Sequence, residues 1–181
     1  MEQDIEKLHK ELERLKSLVF YDHLTGVLNR LGFKEEAEKA LRAVAFRRTE
    51  IERRIGFQIP LSIIFLDIDD FKKINDTEGH LKGDKVLKTV AGILQARLRG
   101  SDILGRWGGE EFVIALLGAN LEVARKVAED LRASVEKRGV TISLGIAGFG
   151  QEKNLDEIIH KADQAMYEAK RQGKNQVLSA N

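Results

Sequence analysis

The stretch GRWGGEEFVIAL, residues 105–116, places two glycines and two glutamates directly before an apolar run. The run EFVIAL (111–116) predicts a buried strand, and DILGRW (102–107) predicts a second strand that is joined to it by a glycine turn. Glutamates in such a turn can simply face solvent. They can also meet partners from elsewhere in the chain, and in that case the turn is a candidate cation site.

The apolar residues outside this hairpin alternate between helical and extended patterns. Further strand patterns are PLSIIFLDI (60–68), VTISLGIA (140–147) and NQVLSA (175–180). A helix is predicted over residues 30–54, and three more are indicated by apolar spacings that begin at Val86, Leu121 and Leu155. Such a mixture predicts an α/β (α+β) domain in which helices cover a sheet.

The first twenty residues, MEQDIEKLHKELERLKSLVF, follow a different pattern. Their apolar residues recur at alternating steps of three and four: Ile5, Leu8, Leu12, Leu15 and Val19. This spacing is typical of the a and d positions of a coiled coil, and it predicts a dimerisation helix over 1–20 followed by one domain over 21–181. The alternative is a single amphipathic helix that lies on its own domain.

Composition excludes several classes of protein. The chain has 181 residues, 43% of them apolar, and 30 basic against 29 acidic residues. A net charge of +1 gives no reason to expect nucleic acid as a partner. The absence of cysteine excludes disulfides and thiolate metal sites and is typical of a cytoplasmic protein. The run LSIIFL (61–66) is too short for a membrane segment, so we expect none.

A second acidic segment, LDIDDFKKINDTEGHLKGD (66–84), follows the predicted strand at 60–68. Strand alternation sends Asp67 and Asp69 to one face and Ile68 to the other. Such carboxylates can bind a hard cation such as Mg²⁺. The alternative is that Asp69 or Asp70 only caps the next helix.

The two acidic segments can meet if their strands are neighbours. Glu110 and Glu111 would then lie near Asp67, and the glycines would let phosphates approach the backbone closely. Three acids around the space that the glycines leave open match the chemistry of two-metal phosphoryl transfer. The hypothesis is therefore a phosphoryl-transfer site at this edge of the sheet.

In these segments the chain resembles the GGDEF domain, the diguanylate cyclase family, in its GGEEF variant. The resemblance extends from about residue 21 to 176. It rests on DHLTGVLNRLGF (22–33), DIDDFKKINDTEGHLKGD (67–84), RGSDILGRWGGEEF (99–112), TISLGIA (141–147) and ADQAMYEAKRQGKN (162–175). Several motifs in the family's order and spacing make it specific.

The resemblance implies a central, mainly antiparallel sheet flanked by helices, similar to nucleotide cyclases and polymerase palms. It implies that two GTP molecules are condensed into cyclic di-GMP and two pyrophosphates between the subunits of a homodimer. Two Mg²⁺ ions are expected at each active site, and Mn²⁺ is expected to substitute for them. By resemblance the metal ligands are Asp67, the Ile68 carbonyl, Glu110 and Glu111. Glu110 is also the expected base, and Lys72 would offset phosphate charge in the transition state.

The resemblance also assigns the substrate and product sites. The expected substrate-binding residues are Asn75, His80, Asp84, Gly108, Gly109, Lys170 and Lys174. Asn75 and Asp84 would recognise guanine, whereas Lys170 and Lys174 would contact phosphates. Arg99 and Asp102, in RGSD, match an inhibitory RxxD motif that binds the product cyclic di-GMP.

Two residues depart from the family pattern. Glu78 stands where a bulky residue is common, so it either repels GTP or faces solvent. Asp130 stands near the point from which the partner subunit often supplies a basic residue to the inhibitory site, for which Arg125 and Arg132 are candidate substitutes. Asp22 and Asn29 are expected to connect the N-terminal helix to the domain.

Two other functions stay open at this point. A binding module could sense GTP or cyclic di-GMP without turnover, although such modules usually lose the glycines or glutamates that are present here. A different nucleotide cyclase or polymerase palm would share the metal chemistry, but it would not explain RGSD or Asp84.

Overall fold

The computed structural model describes residues 2–55, 60–149 and 154–180; of these, the side chains of 2–4, 13 and 43–55 are not described. The elements are α1 (Glu2–Phe20), α2 (Arg30–Ile55), β1 (Leu61–Ile68), α3 (Phe71–Glu78), α4 (His80–Arg97), β2 (Ile103–Gly108), β3 (Glu111–Leu117), α5 (Leu121–Glu136), β4 (Ile142–Gly148), α6 (Leu155–Arg171) and β5 (Val177–Ser179). Within these ranges, no helix combines the length and the apolar character needed to cross a membrane.

The five strands form one sheet in the order β2-β3-β1-β4-β5. The pairs β2–β3, β3–β1 and β1–β4 are antiparallel, and β4–β5 is parallel. The prediction of a mainly antiparallel sheet flanked by helices is therefore confirmed. The spacing analysis did not predict α3 as a separate helix, because its eight residues bury only Phe71.

The central strand β1 is buried along its whole length, because helices cover both faces of the sheet. Ile64 and Leu66 point into a core that includes residues of α4 and α5, whereas Ile63 and Phe65 point into a core with residues of α2 and α6. A Cβ atom at Gly145 of β4 would overlap the Ala162 carbonyl oxygen of α6. This glycine therefore lets α6 lie close to the sheet.

Hydrogen bonds fix the junction between α1 and α2. The Asn29 side chain donates to the Val19 carbonyl at 2.7 Å and accepts from the Gly32 N–H at 2.9 Å. It thereby satisfies a carbonyl at the end of α1 and an N–H at the start of α2. The expectation that Asn29 connects the helix to the domain is confirmed.

The apolar stripe of α1 does not pack on the domain. Its five residues are between 48% and 71% exposed: Ile5, Leu8, Leu12, Leu15 and Val19. The structure of the single chain thus does not support an amphipathic helix that lies on its own domain. An exposed stripe of this size indicates an interaction surface.

Candidate active site

Strand pairing brings the two acidic segments together. Asp67, near the end of β1, is directly opposite Glu111, the first residue of β3. The Ile68 N–H donates to the Glu110 carbonyl at 3.3 Å. Residues directly opposite in an antiparallel pair share a face of the sheet, so both carboxylates lie on the face covered by α2 and α6. The predicted convergence of these strands is confirmed.

The hairpin between β2 and β3 turns at Gly109 and Glu110, since Gly108 pairs with Glu111. Neither glycine has a φ in the left-handed region. A Cβ at Gly108 would lie 3.1 Å from Glu111 Oε2, and one at Gly109 would enter open space. The glycines are therefore needed less for the turn conformation than for the room they leave beside the carboxylates.

Arg106 holds this turn in place. Its guanidinium donates to the Gly109 carbonyl at 2.6 and 3.1 Å and to both carboxylate oxygens of Asp22 at 3.1 Å. Both side chains of the ion pair are only 15% exposed. Hydrogen bonds from Thr25 and Arg106 lower the pKa of Asp22 although burial opposes them. Asp22 therefore connects the segment after α1 to the glycine turn.

Asp67 is a buried carboxylate beside a lysine. The residue is 5% exposed, and its Oδ1 lies 2.7 Å from Nζ of Lys170 on α6. At this distance the two groups form an ion pair. Within the described residues, however, Oδ1 is a buried oxygen that accepts no hydrogen bond of acceptable geometry. Burial raises the pKa of Asp67 to about 6; Lys170 opposes this rise, and the charges of Glu110 and Glu111 add to it.

Glu111 is also half-buried among charges. Burial raises its pKa, the carboxylates of Asp163 and Glu110 add to the rise, and Lys170 and Arg30 oppose it. The Arg30 guanidinium lies 4.3 Å from the centre of the Trp107 ring, a cation–π contact. The site thus combines acids with cations that partly neutralise them.

The two aspartates after Asp67 do not cap α3 with their side chains. Asp69 is buried and accepts from the Ser143 hydroxyl at 2.7 Å and the Asn175 N–H at 3.0 Å. Asp70 occupies the N-cap position without a side-chain cap bond, and its carboxylate instead binds Nζ of Lys174 at 2.7 Å. The capping alternative is therefore wrong. The aspartates connect the end of β1 to the segment after α6.

The residues present fit a hard divalent cation, although they are not arranged around one. In the described part of the chain, no three acidic or histidine side chains are gathered closely enough to hold a metal ion. Asp67 nevertheless presents a buried oxygen without a hydrogen bond, next to two further carboxylates. Carboxylate oxygens are the donors that Mg²⁺ prefers.

The predicted guanine-recognition residues lie at the α3–α4 junction. The side-chain oxygen of Asn75 occupies the space that a Cβ at Gly83 would need. Asp84 follows Gly83 on α4 and is partly buried. Lys72 and His80 are exposed, and no hydrogen bond or ion pair connects them to the acids within the described residues.

Glu78 is paired rather than isolated. Its carboxylate, at the end of α3, lies 2.8 Å from Nζ of Lys82, four residues later on α4, and both side chains are about half exposed, at 50% and 48%. This pair offsets the charge that the sequence placed at an unusual position.

At the predicted inhibitory site, Asp102 accepts from the backbone N–H of Arg99 at 2.9 Å, and the Arg99 side chain is exposed. Both residues line a shallow cavity of about 340 Å³, together with Tyr21 and Val27 of the segment after α1. Asp130 accepts two hydrogen bonds from Arg97 at 2.9 and 3.0 Å.

The candidate substitutes for a basic residue at this position have partners within the same chain. Arg125 donates to the Ser179 hydroxyl, and Arg132 donates to Glu129, Glu136 and Asn175.

Sequence reasoning missed three features of the site: the contact of Lys170 with Asp67, the proximity of Asp163 to Glu111, and the role of Arg106. Asp163 and Lys170 are seven residues apart, or two helical turns, so their common face was visible in the sequence. Their partner strand was not, because that contact is set by how α6 packs. No sequence signal pointed to Arg106.

The family model described as "Diguanylate cyclase, GGDEF domain" matches residues 19–176. Among curated proteins, the chain is 40% identical over 186 residues to Diguanylate cyclase DgcP of Pseudomonas aeruginosa, covering 98% of this chain and 26% of the relative. It is 35% identical over 183 residues to Diguanylate cyclase DgcM of Escherichia coli, covering 98% of this chain and 42% of that relative. The chain thus spans less than half the length of these relatives.

Solved structures show the same fold. The coiled coil and GGDEF domain of DgcB from Caulobacter crescentus, in complex with c-di-GMP, superposes with a TM-score of 0.84 at 28% identity, over 98% of this chain and 94% of that one. The active GGEEF domain of a diguanylate cyclase from Vibrio cholerae gives a TM-score of 0.70 at 32% identity, over 84% and 97% of the chains. The chain belongs to the diguanylate cyclase, GGDEF domain family.

Proposed function

We propose that this chain is a diguanylate cyclase that condenses two GTP molecules into cyclic di-GMP and releases two pyrophosphates. The observation that carries the proposal is the pairing of Asp67 with Glu111, which places the acids of both motifs beside Lys170. The curated relatives with this domain are diguanylate cyclases. Since the chain retains both glycines and both glutamates, turnover is favoured over a binding module.

Asp67, Glu110, Glu111 and the Ile68 carbonyl are the groups that would hold two Mg²⁺ ions, or Mn²⁺ in their place. When bound, these ions would lower the pKa of the attacking 3′-hydroxyl and neutralise phosphate charge. Glu110, in the turn itself, would accept the hydroxyl proton. Gly109 leaves open space where the phosphates would approach.

Lysines and the α3–α4 junction would position the nucleotide. Lys170 pairs with Asp67, and Lys174 pairs with Asp70 three residues later. Both lysines would contact the phosphates, and Lys72 would add charge from α3. Asp84 would accept from the N1–H and N2–H donors of guanine, and Asn75 would complete this recognition. Adenine lacks that pair of donors, so the site would select GTP. His80 is a weaker binding candidate at the start of α4.

A homodimer would bring two such half-sites together. The exposed stripe of α1 has the spacing of a coiled coil, and one of the structural neighbours contains a coiled coil before the same domain. The domain boundary near residue 20 agrees with the end of α1 at Phe20. A parallel pair of α1 helices would hold the two domains side by side.

Product inhibition would act through Arg99 and Asp102. The exposed guanidinium of Arg99 can bind a phosphate or guanine edge, and the second oxygen of Asp102 can accept guanine donors. A related GGDEF domain is known in complex with c-di-GMP. Because Asp130 is acidic and binds Arg97, a contribution from the partner subunit at that position is not expected.

The experiment supplies GTP, ATP or both to the purified chain with Mg²⁺ and identifies the products by mass spectrometry. We expect cyclic di-GMP and pyrophosphate from GTP, no cyclic dinucleotide from ATP, and greater product accumulation by Arg99→Ala. Binding of GTP without any product would instead establish the binding module. A mixed cyclic dinucleotide would contradict the role of Asp84.

A further inference from the structure

Lys170 stands where a divalent cation would have to bind. Its Nζ lies 2.7 Å from Oδ1 of Asp67, the buried oxygen that has no hydrogen bond within the described residues. The lysine side chain is 29% exposed and that of Asp67 is 7% exposed. A carboxylate this deeply buried needs a compensating cation, and the ammonium supplies it in the absence of metal.

One oxygen cannot serve both cations well. Mg²⁺ binds carboxylate oxygens at about 2.0–2.1 Å, so a metal on Oδ1 would lie within about 5 Å of an ammonium that kept its present distance. The two positive charges would repel each other in a partly buried environment, where such interactions are poorly screened. Either the metal or the ammonium occupies Oδ1 of Asp67.

The lysine can leave without a change in fold. Its backbone is fixed because α6 packs closely over Gly145, and Ala169 beside it is fully buried. Its four-carbon side chain is flexible, however, so the ammonium can move several ångströms toward solvent. Phosphates that enter with the metal would meet it there.

We propose that Lys170 is a built-in counterion that keeps Asp67 compensated in the metal-free protein and is displaced from Oδ1 by the divalent cation. This inference rests on the proposed function, because it assumes that Asp67 is a metal ligand. It agrees with the described residues, among which no three acidic or histidine side chains are gathered closely enough to hold a metal ion. Metal binding and the release of a phosphate-binding lysine become one event.

The test measures Mn²⁺ binding to the nucleotide-free protein by electron paramagnetic resonance at about pH 8. Lys170→Met should bind Mn²⁺ about tenfold more tightly than the parent, because the competing ammonium is gone. The control Lys174→Met removes an equal charge, which is paired with Asp70 instead, and should leave the affinity nearly unchanged. The gain should vanish in the double variant Lys170→Met, Asp67→Asn. Melting curves verify that every variant is folded.

Equal, weaker or no Mn²⁺ binding by Lys170→Met would overturn the proposal. An equal gain in Lys174→Met, or a gain that survives Asp67→Asn, would overturn it too, since the effect would then be general or arise elsewhere. A purely structural ion pair predicts lower stability of Lys170→Met without tighter Mn²⁺ binding.

A second measurement uses the unmodified sequence. Acylation of lysine amines by acetic anhydride, followed by mass spectrometry, should show faster labelling of Lys170 when Mg²⁺ is added, with Lys174 as the internal reference. Unchanged labelling at saturating Mg²⁺ would contradict displacement. Tighter Mn²⁺ binding by Lys170→Met, together with a parent protein that makes no cyclic di-GMP, would uphold this inference and reject the proposed activity.

Discussion

At the residue scale, Asp67 is retained at a cost in stability. Burial raises its pKa to about 6, so between about pH 4 and pH 6 the folded state holds a proton that the unfolded state has released. Sequence alternation predicted that Asp67 and Asp69 share a face of β1, and that Asp67 would lie near Glu110 and Glu111 if the two strands were neighbours. It could not predict the burial or the ammonium of Lys170, because both depend on how α6 packs.

Asp67→Asn should therefore stabilise the metal-free protein. Above about pH 6 the free energy of unfolding should rise by about 2 kcal/mol, because the substitution removes a charge that burial disfavours. The gain should shrink as the pH falls from 6 to 4 and should vanish below about pH 4, where the parent aspartate is protonated in both states. Urea unfolding at several pH values checks this. An equal gain at pH 4 and pH 8 would contradict it, and Asp156→Asn, an exposed carboxylate, is the control.

At the element scale, the sequence predicted the strands better than their connections. The continuous apolar run of β1 and the period of β4 were sufficient to predict both strands. The α3–α4 junction was not predicted, because FKKINDTE is short and has little apolar periodicity. The ion pair of Arg106 with Asp22 was also missed, since these residues are 84 positions apart.

Gly83→Ala tests whether the α3–α4 junction recognises the nucleotide. The new Cβ would displace the Asn75 side chain, so the KM for GTP should rise about tenfold, which corresponds to one lost hydrogen bond. Gly92→Ala is the matched control, because it adds the same methyl to the same helix where nothing lies within 4 Å. Steady-state kinetics of both variants check this. Equal KM values would remove Asn75 from the site.

Arg106→Lys tests whether the hydrogen bonds of Arg106 hold the glycine turn in place. Loss of the planar fork should lower the free energy of unfolding by about 2 kcal/mol and reduce kcat, because Gly109 and Asp22 lose charge-assisted hydrogen bonds. Arg97→Lys is the control, since its pair with Asp130 is exposed and contributes little. Thermal unfolding and turnover are measured together. Similar effects of the two substitutions would show that Arg106 is an ordinary surface residue.

At the scale of the whole molecule, one chain presents one half of the proposed active site and the exposed apolar stripe of α1. The residues of the apolar α1 stripe were identified from sequence spacing alone, and their exposure agrees with a partner helix. The partner itself was not predictable from the fold of one chain, because the apolar side chains of the stripe are largely exposed there.

Leu12→Glu should dissociate the dimer that we propose. Leu12 is at an a position, so the new carboxylate would be buried between the two helices. The control Lys10→Glu puts the same group on the outer face of α1. Sedimentation equilibrium should give a monomer for the first variant and a dimer for the second, and cyclic di-GMP formation should fall only in the first. A monomeric parent would contradict the dimer.

The central claim is that the acids at the ends of β1 and β3 perform cyclisation of GTP. The most direct measurement is the rate of cyclic di-GMP formation from GTP and Mg²⁺ by the parent and by Glu110→Gln, with a phosphodiesterase present to remove inhibitory product. The account predicts cyclic di-GMP from the parent and none from the folded variant, because the amide neither accepts the proton nor holds the metal as a carboxylate does. Equal rates in the two proteins, or no product from a dimeric, product-free parent, would contradict it.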